Sequence, residues 1–67
     1  MRHKYKKKRL GYLLDARRAM GRVEVAAREW NQAFDAGDIK VLGQISGLLT
    51  EAVNDVVVAT SAAAEAD

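Results

Sequence analysis

The chain has no cysteine and no proline, a single histidine, and few aromatic side chains (one Trp, one Phe, two Tyr). Without cysteine there is no disulfide and no thiolate metal site. The one histidine, His3, sits in a run of cations with no neighbour able to fix its tautomer. A histidine-based metal or catalytic site is therefore not expected. A glycine-rich phosphate loop is missing, as are the Glu-x-x-His pairs of a di-metal carboxylate bundle. The reading is a protein that is not an enzyme, with no catalytic residue, no metal and no cofactor. Long apolar runs are also lacking. The stretch LGYLL follows the opening cations but is cut off by Asp15, Arg17 and Arg18, too soon for a secretory signal. The apolar run over residues 56–64 is less than half of the roughly 20 residues that a membrane span requires. A soluble chain without a membrane span is expected. The absence of thiols suits the cytoplasm or the inside of a viral particle.

What is present is charge, unevenly placed. Six of the 11 Lys and Arg residues fall in the first nine positions: Arg2, Lys4, Lys6, Lys7, Lys8 and Arg9. Beyond them the balance turns to −4, against +2 for the whole chain. The pattern is a basic arm, residues 1–9, on a mildly acidic body, residues 10–67.

The body reads as helix. Alanine is abundant and no proline interrupts it. One bend is signalled, in FDAGDIK. Gly37 suits the left-handed position just past a helix end, and Asp38 suits the cap of the next helix. This predicts helices over residues 10–35 and 39–63 with a turn at 36–38. Gly21 is not expected to break the first helix, because the apolar pattern stays in phase across it.

On the first helix Leu13, Ala16, Met20, Val23, Ala27, Trp30 and Phe34 step alternately by three and four. On the second Leu42, Ile45, Leu49, Ala52, Val56, Ala59 and Ala63 do the same. Each row is a seam about three heptads long. A short linker makes the helices fold back on each other. The expected fold is all-α: an antiparallel two-helix hairpin, coiled-coil-like, completed by oligomerisation or by packing on a partner protein. Bulky residues crowd the bend and small ones the open end, so the hairpin should be firmest near Trp30 and Phe34. Trp30 and Met20 are expected to pack in this core. Arg22 should approach Asp55 or Glu51 across the hairpin.

Apolar residues remain outside this seam. Val41, Leu48, Val53 and Val57 widen the stripe of the second helix and predict a protein interface. Ala19, Ala26 and Ala33 form a row beside the first seam that allows close approach of helices. Gly43 and Gly47 lie on the outer side of the second helix, where each costs about 1 kcal/mol relative to Ala. The bend does not fit a DNA-reading helix-turn-helix, because Gly43 stands where that motif needs a buried aliphatic residue.

The basic arm has several readings. Part of its charge answers Glu65 and Asp67, which the hairpin brings to the same end. The remainder, with Arg17 and Arg18 continuing along the first helix, is a grip for nucleic acid phosphates without sequence preference, or for an acidic protein surface. Tyr5 and Tyr12 are placed to stack on bases. A basic segment with Tyr and Leu can also rest on an anionic membrane. Two functional expectations follow. One is a small assembly protein, a homo-oligomer or the companion of a larger protein, of the size and composition of a phage or viral accessory component. The other is a small regulator or inhibitor that docks on a partner enzyme.

Overall fold

The structure is a computed structural model. It describes the backbone of residues 2–66 and the side chains of residues 8–66. Helix α1 runs over Arg2–Ala36 and α2 over Ile39–Glu65. They pack against each other as an antiparallel helical hairpin. The backbone helix starts at Arg2, well before the expected start at residue 10, and passes through Gly21 without a break. The basic segment is thus the first two turns of α1. It projects beyond the end of α2, because α1 has 35 residues and α2 has 27.

The bend forms as its residues require. Gly37 takes φ 69°, a conformation open to glycine but strained for side-chain-bearing residues. Its N–H donates to the Phe34 carbonyl and the Asp38 N–H donates to the Ala33 carbonyl, both at 3.0 Å. These two bonds satisfy the last carbonyls of α1. Asp38 also opens α2. Its carbonyl accepts from the Leu42 N–H at 3.0 Å and its carboxylate accepts from the Val41 N–H at 3.2 Å. One residue therefore closes one helix and caps the other.

The seam of α2 is the expected one. Ile45, Ala52 and Ala63 are buried, and Leu42, Leu49, Val56 and Ala59 are half-buried. The seam of α1 is rotated from expectation. Its buried residues are Ala16, Ala19, Ala26 and Ala33, with Tyr12, Val23 and Trp30 half-buried in the same row. Leu13, Met20 and Phe34 lie exposed on the flank instead. The physical reason is size. Alanine at the contact lets two helix axes approach to the short end of the usual range of about 8–10 Å. The hairpin is 13 Å across in Cα positions. Subtracting the ~4.6 Å width of one helix's Cα cylinder leaves an axial separation of about 8 Å. A gap that narrow buries methyl groups fully, takes in Tyr12, Val23 and Trp30 only in part, and leaves Met20 and Phe34 outside.

A core cluster lies near the bend, while the most deeply buried residues, Ala19 and Ala63, lie toward the open end. Ala26, Ala33 and Ile45 form the core cluster, and Trp30, Val41, Leu42 and Leu49 pack against it. No large side chain is fully buried among the described residues.

Two substitution series test this arrangement by urea denaturation at fixed protein concentration. Gly37→Ala is expected to cost about 1–2 kcal/mol, because nothing lies near a new Cβ and only the backbone penalty acts. Asp38→Ala should cost about 1 kcal/mol and Asp38→Asn much less. Ala26→Leu should cost about 1–3 kcal/mol by overfilling the seam. A neutral Ala26→Leu would mean that the α1 seam runs through Met20 and Ala27.

Candidate association surface and basic helix end

The rotated seam gives the hairpin two unlike flanks. On α1 the positions that follow the buried row on one side are Leu13, Met20, Ala27 and Phe34, with Leu10 beyond them. On the other side they are Asp15, Arg22 and Glu29. Antiparallel pairing sets like flanks together. The first flank of α1 therefore lies beside Ile39, Ser46, Val53 and Thr60 of α2, with Gly43, Thr50 and Val57 beyond. The second lies beside Val41, Leu48 and Asp55.

Among the described residues a polar link joins the helices on each flank. On the charged flank Arg22 Nη2 donates to Asp55 Oδ2 at 2.8 Å, so the structure selects Asp55 rather than Glu51 as the partner. This flank forms an open groove that Leu48 and Val25 share with Arg18, Glu29 and Glu51. Both members of the Arg22–Asp55 pair remain more than half exposed, so its contribution is under about 1 kcal/mol. On the apolar flank Trp30 Nε1 donates to Ser46 Oγ at 3.1 Å, and Ser46 Oγ donates in turn to the Leu42 carbonyl at 2.7 Å. Thr50 Oγ1 donates to the Ser46 carbonyl at 2.9 Å. Phe34 stacks on Trp30 with ring centroids 5.6 Å apart and planes 16° apart. Phe34 nevertheless stays 62% exposed. Trp30 thus packs against the core by one edge, as expected, while Met20 does not join the core.

The four residues predicted as one protein interface do not share a surface. Val41 is half-buried against the hairpin's own core. Leu48 is exposed in the charged groove. Val53 and Val57 are exposed on the opposite, apolar flank. That flank also holds Leu10, Leu13, Met20, Phe34 and Ile39 among the exposed large apolar residues, leaving only Leu14, Val25, Leu48 and Val58 elsewhere. The α2 half of it carries no charged residue, and the α1 half is bordered by Arg17, Glu24, Arg28 and Asp35. Sequence reasoning missed Leu13, Met20 and Phe34 as surface residues because it placed them inside the seam.

Of the predicted basic contacts, the side chains of Arg2, Lys4, Lys6 and Lys7 lie outside the described residues, as does Tyr5. Lys8 and Arg17 are exposed and Arg9 is half-buried. Arg18 is 79% exposed and reaches Asp15 at 3.4 Å, a surface contact one helical turn away. Tyr12 is half-buried in line with the α1 seam, so it does not stand free as a stacking platform. Among the described residues no group of three His, Asp or Glu is placed to hold a metal ion.

Helix α2 is long and apolar enough to cross a membrane by length and composition alone, with a mean hydropathy of 1.2. The apolar run over residues 56–64 understated this, because Ile39 to Leu49 contributes as well. The helix packed against it, α1, carries charge along its length from Asp15 to Glu29. No protein-family model matches the chain, and no curated protein or solved structure matches it.

A double-mutant cycle on Arg22→Ala and Asp55→Ala, read by thermal or urea unfolding, should return a coupling below about 1 kcal/mol that shrinks in high salt. Replacing Gly47, which is exposed and has open space where a Cβ would sit, with Ala should stabilise the hairpin by about 1 kcal/mol.

Proposed function

We propose that this protein is a small non-enzymatic assembly component. The hairpin associates with protein through its apolar flank, and the basic first turns of α1 hold the phosphates of nucleic acid without reading sequence. The observation that supports the first part is the division of apolar residues. The core is almost entirely alanine, while Phe34, Met20, Val53, Val57 and their neighbours stay exposed on one side. Burying one such large side chain is worth about 1.5–3 kcal/mol, against about 0.8 kcal/mol for a methyl-sized group. Most of the hydrophobic stabilisation available to this chain is therefore still unused in the isolated hairpin.

The second part is supported by charge placement. Six cations occupy eight consecutive positions of a helix that overhangs its partner. Among the described residues of α2's last turn, Glu65 is the carboxylate that answers them from the same end. Cations at a helix N-terminus also oppose the macrodipole, and no acidic residue occupies the first turn of α1. A polyanion bound there relieves both repulsions at once.

Deleting residues 1–9 tests the phosphate interaction. Binding to a mixed-sequence DNA or RNA should fall by at least tenfold at low salt. The slope of log affinity against log salt should also flatten, by about 0.7–0.9 for each phosphate that is no longer neutralised. Unchanged low-salt affinity would remove nucleic acid from the proposal.

A further inference from the structure

We infer that the occupant of the apolar flank is a second copy of this chain, laid antiparallel to the first to form a four-helix bundle with a basic pole at each end. This deepens the assembly reading given above and rests on its association half, not on the phosphate interaction.

The first argument is area. The isolated hairpin exposes 5401 Å². A compact monomer of 7.3 kDa exposes about 4,200 Å². The excess is about 1,200 Å² per copy, so two copies hiding it from each other bury about 2,400 Å², within the range of permanent homodimers. The shape agrees. The radius of gyration is 15.5 Å, against about 11 Å for a compact domain of this length. The hairpin measures 54 × 13 × 11 Å, so it is a long rod only two helices thick.

The second argument is charge. The flank carries no charge on α2, so a second apolar flank desolvates little that is polar. Orientation then follows from the ends. The open end carries six cations against Glu65 and Asp67, a formal +4, and the rest of the chain is −2. A parallel pair sets two such ends side by side. An antiparallel pair separates them by the length of the molecule. It also lays the first turns of each α1 alongside the other copy's bend, where Asp35 and Asp38 stand. With Lys40 at the same bend, three positive charges per pole remain in formal excess after these pairings, which leaves the dimer able to bridge two polyanion segments.

Sedimentation equilibrium of the full chain at 10–200 μM, a range set to cover ordinary micromolar dimerisation, should give about twice the 7.3 kDa monomer mass. The unfolding temperature should rise with protein concentration. Val57→Lys should return the mass toward monomer, whereas Val58→Lys, equally exposed but off the flank, should leave the dimer intact. The concentration dependence of unfolding decides the matter if Val57→Lys fails to fold. Orientation is read with spin labels, which the absence of native cysteine makes simple. Labels at Ala36→Cys, exposed at the end of α1 and off the flank, should lie about 40–50 Å apart, from the 1.5 Å rise per residue on either side of a central axis. Labels at Glu24→Cys, exposed at the border of the flank, should lie within about 20 Å by the same reckoning. A monomer at 200 μM overturns the inference, whether or not it binds vesicles of zwitterionic lipid or another protein. Short distances at both positions overturn the antiparallel arrangement. A dimer that binds no nucleic acid keeps this inference and removes only the phosphate interaction.

Discussion

The whole arrangement depends on how close α1 and α2 come to each other. A row of alanines at 16, 19, 26 and 33 meets Ile45, Ala52 and Ala63, and at this separation the larger seam residues of α1, Tyr12, Val23 and Trp30, are only partly buried. Close approach favours backbone-to-backbone dispersion and short links between the helices, but it yields little apolar burial per residue. The large apolar residues of α1 are displaced to the side, and the chain's surface character follows from that displacement.

The displacement is directional because the two flanks differ in composition. Asp15, Arg22 and Glu29 hold one side of α1, and the ion pair to Asp55 sits there in water. Leu13, Met20, Ala27 and Phe34 hold the other, where the Trp30–Ser46 hydrogen bond and the stacked Phe34 ring fix the surface locally. The bend sets the register between them. With Asp38 serving both helices through a two-residue link, α2 has little freedom to slide along α1. A change in that register would break both cross-links together, since Arg22–Asp55 and Trp30–Ser46 lie on opposite sides of the same seam.

The bend could be read from the sequence because glycine and aspartate each have one strong local role there. The α2 seam could be read because its apolar row is continuous, whereas the rows beside it are interrupted by Asp55 on one side and by Ser46 and Thr60 on the other. The α1 seam could not. Two rows share Ala16, Val23 and Trp30 and differ in whether Tyr12, Ala19, Ala26 and Ala33 or Leu13, Met20, Ala27 and Phe34 complete them. Hydrophobicity favours the second row and interhelix distance favours the first. Periodicity does not contain the distance. The one usable signal was complementarity: bulky Leu42, Ile45 and Leu49 on α2 require small residues opposite. That error carried into the surface, where Val41 and Leu48 were grouped with Val53 and Val57 although the helix turns them to different sides. The basic segment was read by composition as an arm, whereas nothing in its residues prevents the helix from continuing to Arg2.

Methyl-resolved NMR of isotopically labelled protein tests the alanine seam most directly. The account predicts intramolecular NOEs from the Ala26 and Ala33 methyls to Ile45, and none linking Met20 to Val56 or Leu13 to Ala63 within one chain. Intramolecular NOEs from Met20 to Val56, with Ala26 and Ala33 giving none to α2, would contradict it.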